Sequence, residues 1–398
     1  VGFGTRAESA VKTMEIGVYL HFPFCRQKCA YCDFASRPGR EEEFLPYLRG
    51  VLAEYRRYKD LLDGVEIATV YLGGGTPGLL SPELLNLLLA EVVPARKKGE
   101  IEVTMEANPE SIDQPKLEAF VAGGGNRLSL GLQSHDDHLL RLLGRLHTAA
   151  RTAEVVRLAR AAGVARINLD LIYGLPGQSP ADWEETLAFA LSLDPDHLSL
   201  YALELHPGTP LAAAVEDGRL VLPTEEEVAA MLATAMEVLP RAGLRQYEVA
   251  SFARPGAECR HNLNYWQRGP YLGLGAAAHS FFGGERWANC RDPESYLAAL
   301  ARGESPVAFR EKPGAFAELL ETIMLGLRLA EGISCSLLFS LTGLAVEELF
   351  GEALASLRAE GLVILEGGHL HLTPRGVLFA DYVVRRLVGG LPEGVCSP

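Results

Sequence analysis

The sequence predicts an α/β protein: a partial, TIM-like (β/α)6 barrel followed by a winged-helix-like α+β domain. Three observations carry that prediction. From residue 14 to about residue 215, short apolar runs alternate with amphipathic stretches of helical period. A polar or glycine-rich cluster closes each of the six apolar runs on the same side. After residue 303 the order changes to helices followed by a short hairpin. Strand–helix alternation implies a parallel sheet with right-handed crossovers. In such barrels the chemistry gathers at the C-terminal ends of the strands.

The strands are predicted at 16–21, 68–73, 102–106, 127–132, 166–172 and 197–203, and the helices at 41–63, 81–93, 114–123, 149–162, 181–192 and 225–242. The first strand runs into a cysteine-rich loop, and the second into Gly73-Gly74-Gly75-Thr76-Pro77. The third ends in Glu106-Ala-Asn108-Pro109 and the fourth in Gly131-Leu-Gln133-Ser134. The fifth carries Asp170 and ends in Tyr173-Gly-Leu-Pro-Gly-Gln178. The sixth carries Tyr201 and ends at Glu204. Six successive strand ends thus point polar groups at one cavity.

Residues 1–13 are small, polar and aperiodic, and read as an extension or leader before Met14. The barrel is expected over 14–215, a barrel-closing segment over 216–303 and the second domain over 304–398. In that domain, 316–329 and 346–359 read as helices. Two strands follow around Gly367-Gly368, and a last helix spans 375–388.

With 48% hydrophobic and 22% charged residues over 398 positions, the chain is of ordinary globular composition. No apolar run reaches the ~18 residues of a membrane span. A net charge of −14 argues against nucleic acid as the main partner. Residues 361–398 carry three arginines, no lysine and three acids, so the second domain reads as a lid or docking module rather than a DNA reader. His369 and His371 share a strand face there and read as a solvated wing. Seven cysteines are an odd number in a large chain, which fits reduced thiols in a cytoplasmic setting.

Cys25, Cys29 and Cys32 are spaced C-x3-C-x2-C, with no fourth cysteine nearby. An iron–sulfur cube usually takes four thiolates, so three leave one iron open to a small ligand. A zinc knuckle would need a fourth ligand. Its one nearby candidate, His21, lies inside the first predicted strand. This spacing is the motif of the radical S-adenosylmethionine (SAM) superfamily. The glycine run offers backbone groups to an amino acid moiety. Glu106, Gln133 and Asp170 can accept hydrogen bonds from an amine or ribose hydroxyls, and Arg145 can pair with a carboxylate. Each of these residues also reads as a polar group capping a strand. His135 and His138 read as surface residues and Trp183 as core.

Several runs resemble the oxygen-independent coproporphyrinogen III oxidase family from about residue 15 to the C-terminus. They are Tyr19-Leu-His-Phe-Pro-Phe-Cys25, the Gly-Gly-Gly-Thr-Pro loop, Glu106-Ala-Asn-Pro, 126–134, 143–147 and 170–178. In the oxidase a further cysteine follows two residues after the third, where this chain has Phe34. The related HemW heme chaperones carry His-Asn-x-x-Tyr-Trp, here His261-Asn-Leu-Asn-Tyr265-Trp266. The oxidase also has an additional N-terminal segment, whereas Tyr19 is preceded here by only 18 residues. All three features point to the chaperone branch, with an active oxidase as the alternative. A radical SAM tRNA-modifying enzyme fits poorly with the acidic charge.

The resemblance implies a [4Fe-4S] cluster on Cys25, Cys29 and Cys32. It implies SAM contacts from Tyr19, Tyr31, Gly74, Gly75, Thr76, Glu106, Gln133, Arg145 and Asp170. It also implies heme as cargo, heme-acceptor proteins such as membrane respiratory enzymes, and an electron donor such as flavodoxin or ferredoxin. Whether such a chain also turns over a substrate, and whether it forms oligomers, stays open. For the segment from Cys259 to Trp266 the residues alone read either as a loop closing the barrel or as a heme contact. In the second reading His261 or Cys259 ligates iron, the aromatic rings face the porphyrin, and Arg260 or Arg268 pairs with a propionate. The resemblance favours a heme role for His261. Cys290, Cys335 and Cys396 read as ordinary free cysteines. Gly125 stands where a branched apolar residue is usual and His135 where an aromatic is usual. Both are expected to loosen packing near the fourth strand.

Overall fold

The computed structural model describes residues 14–94 and 101–395. The expected extension 1–13 and Cys396 lie outside the described residues. Six parallel strands run in sequence order across the middle of one sheet: β1 (Glu15–Phe22), β2 (Glu66–Gly74), β3 (Glu102–Ala107), β4 (Arg127–Gln133), β5 (Arg166–Tyr173) and β6 (His197–Ala202). Each lies within two residues of its predicted bounds. All seven residues of β4 are buried, because the strand is covered on both faces. Leu128, Leu130 and Leu132 join the apolar core, while Arg127, Ser129, Gly131 and Gln133 point to a cavity on the other face. This period-two division is the pleat of a strand.

The intervening helices begin where the sequence offers a cap. Ser81, Asp113, Thr148, Ser179 and Thr224 each accept a hydrogen bond from a first-turn backbone N–H. Ser179 and Thr224 complete capping boxes with Asp182 and Glu227. The apolar faces of the helices close over the outer side of the sheet and form the main core.

The segment expected to close the barrel instead lengthens the sheet at both edges, and the sheet stays open with 12 strands. β7 (Arg245–Glu248) and β8 (Ser251–Ala253) add antiparallel beyond β6. On the other edge β9 (Tyr271–Leu274) pairs parallel with β1. β10 (His279–Phe282), β11 (Glu285–Asn289) and β12 (Val307–Glu311) follow antiparallel. Short strands of two to five residues carry too little periodicity to be read from sequence. A buried carboxylate ties this edge to the body. Glu54, on the helix Glu41–Arg57, accepts from Gly275 N–H (2.8 Å), Asn289 Nδ2 (2.7 Å) and Tyr296 Oη (2.6 Å).

Gly125 does not loosen the packing before β4. The Phe120 ring occupies the place of its missing side chain, and a Cβ there would come within 2.4 Å of that ring. His135 is held by Thr186 Oγ1 at 2.9 Å and Glu185 at 3.2 Å.

The C-terminal region has a core of its own, built on Leu319, Ile323, Leu349, Phe350, Leu370 and Val383. Its order is helix Ala315–Gly326, strand Ile333–Ser334, helices Cys335–Thr342 and Val346–Ala359, then strands Val363–Glu366 and His369–Leu372. These strands form a three-stranded sheet, giving the winged-helix order, with a first strand and a second helix that the sequence reading missed. The predicted last helix is two pieces, Pro374–Val377 and Ala380–Gly389. The helix Val346–Ala359 carries Glu347, Glu348 and Glu352 against Arg358, no face for a phosphate backbone. Backbone bonds from Val249 N–H to Arg328 O (2.8 Å) and from Ala330 N–H to Tyr247 O (3.0 Å) dock this region on the β7 edge. No helix of the described residues is long and apolar enough to cross a membrane.

Candidate functional site

The C-terminal ends of β1 to β6 surround a cavity of about 420 Å³. Cys25, Cys29 and Cys32 all line it, as free thiols. Their loop is fixed at its base by the short parallel bridge of Phe24–Cys25 with Arg37–Pro38. Lys28 Nζ spans the loop to Phe34 O (2.9 Å) and Ser36 O (3.0 Å). Two polar groups reach the sulfurs: Thr76 Oγ1 lies 3.5 Å from Cys25 Sγ, and Arg145 Nη1 lies 3.5 Å from Cys29 Sγ. Burial pushes the Cys25 and Cys32 thiols up. Among the described residues no three His, Cys, Asp or Glu side chains converge on a single metal ion. Three thiols that line one cavity suit a cube, in which each thiolate takes a different iron. The donor set is all sulfur, the usual donors of an iron–sulfur cluster.

The glycine loop passes close under the cysteine loop. A Cβ on Gly75 would lie 2.6 Å from Phe24 O, and Gly74, at φ 107°, would drive one to 2.6 Å from the His21 ring. Gly75 N–H donates to Phe22 O (2.7 Å) and Thr76 N–H to Phe24 O (2.9 Å). Beside it, Glu106 accepts from Tyr71 Oη (2.8 Å) and Gly74 N–H (3.1 Å). Burial, with the nearby Asp170 charge, pushes the Glu106 carboxyl up to about 7. Asp170 accepts from Ser129 Oγ (2.9 Å) and Asn168 Nδ2 (2.8 Å), and burial raises it too.

Gln133 carries the plainest sign of a ligand. A bulge between Gly131 and Gln133 breaks the β4–β5 register, and Gln133 sits at φ 66°. Its side chain lines the cavity, yet its buried Oε1 has no partner among the described residues. A strained backbone and an orphaned amide oxygen thus meet at one cavity wall, leaving an acceptor free for a donor placed there. Arg145 Nη2 donates to Gly131 O (3.0 Å) and to Asn108 Oδ1. Arg145 therefore braces the loop of Cys29 against the end of β4 as well as facing the cavity.

Cys25, Cys29, Cys32, Tyr31, Gly74, Gly75, Thr76, Glu106, Gln133, Arg145 and Asp170 thus share one cavity. Two residues assigned by resemblance do not. Tyr19 lines a second cavity, with its hydroxyl 3.0 Å from His21 Nδ1. His261 lines neither. It is 1% exposed, and both ring nitrogens are engaged: Nδ1 with Thr69 Oγ1 at 2.7 Å and Nε2 with Tyr265 Oη at 2.9 Å. Burial lowers its imidazole to about 3, so it stays neutral. The heme-ligand role expected of His261 does not fit this packing, because iron would have to displace a buried hydrogen bond. Cys259 is buried against Glu102, and burial pushes its thiol up to about 12, far from a free thiolate.

The sequence reading missed the floor of the first cavity: Tyr71, Arg127, Ser129, Asn168, His197 and Ser199. Asn168 is its hub. Its Oδ1 accepts from Ser199 Oγ (3.2 Å) and lies 2.6 Å from His197 Nδ1. Its Nδ2 also donates to Ser129 Oγ at 2.7 Å. The available signal was polar residues recurring at every second position inside apolar strands.

The second cavity, about 690 Å³, lies between the β1–β9–β10 edge and the helix Ala315–Gly326. It shares Phe34, Gly74 and Glu106 with the first.

Residues 19–190 match the radical SAM superfamily, and residues 317–379 match the HemN C-terminal domain. The chain is 40% identical to heme chaperone HemW of Mycobacterium tuberculosis over 94% of this chain and 95% of that protein. It is 33% identical to heme chaperone HemW of Bacillus subtilis over 94% and 99%. It is 36% identical to the mitochondrial radical S-adenosyl methionine domain-containing protein 1 of Bos taurus over 94% and 88%. The solved coproporphyrinogen III oxidase (HemN) of Escherichia coli superposes with a TM-score of 0.81 over 94% of this chain and 90% of that one, at 23% identity, a likeness of fold. The full-length matches at these identities, joined to a radical SAM barrel that presents three cysteines to one cavity, make this chain a member of the HemW heme-chaperone family.

Proposed function

We propose that this protein is a SAM- and [4Fe-4S]-binding heme chaperone that carries heme and passes it to acceptor proteins. The observation that carries the reading is full-length similarity to heme chaperones in a chain with Phe34 where the oxidase has its further cysteine. The oxidase alternative keeps the shared fold alone. Cys25, Cys29 and Cys32 would hold the cluster, which when bound supplies an open iron site and electron-transfer chemistry. Glu106 would hold SAM's ammonium and Asp170 its ribose hydroxyls, with Gln133 Oε1, unpaired among the described residues, a further acceptor. Arg145 contributes a cation toward the carboxylate while keeping Cys29 in place.

The test is anaerobic reconstitution followed by hemin titration, with coproporphyrinogen turnover assayed in parallel. Expected are about four irons and four sulfides per chain, about one hemin bound and handed to an apo-acceptor, and no decarboxylation. Cys29→Ala should abolish the cluster, and full occupancy in that variant would remove the site assignment. A wild-type chain that binds no hemin and decarboxylates coproporphyrinogen steadily would make it an oxidase.

A further inference from the structure

The heme seat is not given by the motif that suggested it, since His261 has no nitrogen to spare. We propose, resting on the heme-chaperone reading, that the second cavity is the heme seat and that His279 is its axial ligand. Two histidines line that cavity. His21 is committed, with Nδ1 near Tyr19 Oη (3.0 Å) and Nε2 near Ala35 O (2.9 Å). His279, exposed at the start of β10, makes no side-chain hydrogen bond to any described residue. A neutral imidazole with a free nitrogen is the form that ligates heme iron. Partial desolvation of the ring and the neighbouring Arg286 charge lower the His279 imidazole and so favour that form.

The rest of the cavity suits a porphyrin. Its volume of about 690 Å³ falls within the usual range for small-molecule and cofactor sites. Tyr265, Trp266 and Phe281 give it flat apolar walls. Trp266 Nε1 is buried without a partner among the described residues, a donor awaiting an acceptor such as a propionate. Arg268 bonds Glu321 and Glu318, and Arg286 bonds Glu321 and Glu311. A guanidinium has five N–H donors, so each keeps some for a propionate while its charge is already balanced. The two guanidiniums already face three carboxylates, so propionates there would be held by N–H donors and not by net positive charge, a weak hold that suits a cargo that must leave. The His-Asn-x-x-Tyr-Trp run then builds the wall: His261 fixes Tyr265, which packs edge-on to Tyr271 at 4.6 Å.

Hemin titration of the cluster-loaded full chain, read by the Soret band and by electron paramagnetic resonance, tests this directly. His279→Ala should weaken hemin binding at least as much as loss of an outer-sphere partner does at other metal sites, roughly 10- to 100-fold, and shift the Soret band. His279→Met should retain hemin with a changed ligand signature. That variant guards against a folding artefact, since a thioether is itself an axial ligand. His261→Gln should weaken hemin binding by loosening the Tyr265 wall, but the hemin it binds should keep the wild-type axial-ligand signature. Unchanged affinity and spectra in both His279 variants would overturn the seat and leave the chaperone reading standing. A changed axial-ligand signature in His261→Gln, with the wild-type signature kept in both His279 variants, would return the ligand to the motif. A wild-type chain that binds no hemin would overturn both.

Discussion

Gly75→Ala is a one-carbon test of how the cofactor cavity is built. The added Cβ would lie 2.6 Å from Phe24 O and 2.9 Å from Phe22 O, and neither is a side chain that can rotate away. Phe22 O and Phe24 O are also the acceptors that hold the glycine loop, through Gly75 N–H and Thr76 N–H. Relief therefore requires the backbone just before Cys25 to move and those two bonds to lengthen. Overpacking of this kind costs about 1–3 kcal/mol, and rigid backbone neighbours place Gly75 at the upper end. The displaced Cys25 loses its place beside Thr76 Oγ1 (3.5 Å). Expected are a melting temperature lower by several degrees, iron clearly below the roughly four per chain of one cube, and SAM binding about tenfold weaker or worse. Calorimetry and iron analysis on the anaerobically reconstituted variant measure all three. Gly314→Ala is the control, because nothing lies within 4 Å of its added Cβ and its φ is ordinary. Wild-type iron content, SAM affinity and melting temperature in Gly75→Ala would refute the account of the loop.

Two further outcomes are expected. Arg145→Ala should lower iron content and SAM affinity together, because it removes donors to Cys29 Sγ and Gly131 O at once, each charge-assisted bond being worth about 1.5–3 kcal/mol. Arg145→Lys should not rescue, since a point charge cannot replace the fork; normal iron with weak SAM would reduce Arg145 to a carboxylate contact. Glu106, raised from 4.5 to about 7, contributes stability that is complete below about pH 4.5 and lost as pH rises through about 7. SAM's ammonium prefers the ionised carboxylate, so SAM affinity should rise over the same range. Melting curves and titration calorimetry at several pH values, each taken as wild type minus Glu106→Gln, isolate both trends from Glu54, which titrates at about 6. Flat differences would mean that Glu106 does not titrate there.

The central strands were legible because long apolar runs bounded by glycine and capping residues leave little freedom in register. The edge strands were not, because a run such as His279–Phe282 is too short to show a period. The first cavity was legible where chemistry and special backbone coincide, at the cysteines and at Gly74 and Gly75. Its floor was hidden for a different reason. Arg127, Ser129, Asn168 and His197 look like misplaced polar residues inside apolar strands until the pleat puts them on one face. The pleat sets Tyr19 on the same face as its register partner Tyr71, yet its ring lines the second cavity, with its hydroxyl 3.0 Å from His21 Nδ1. The role of His261 was left open between loop and ligand because a motif fixes which residues stand together but not what their ring nitrogens touch. That depends on Thr69, far away in sequence.

Phe34 gains a second meaning from its position. It is 62% exposed and lines both cavities, as Gly74 and Glu106 do. A cysteine there would bring a thiol to the boundary between the cofactor cavity and the second cavity. Phenylalanine brings an inert aromatic face, which can cover a porphyrin edge without offering a nucleophile or a metal ligand. Glu106 completes that boundary, bonding the Gly74 backbone on the side shared by the two cavities. Anything that changes its protonation or draws it toward a ligand in the first cavity must therefore alter the wall of the second. Coupling between SAM occupancy and the second cavity needs no long pathway here, because the two spaces already share side chains.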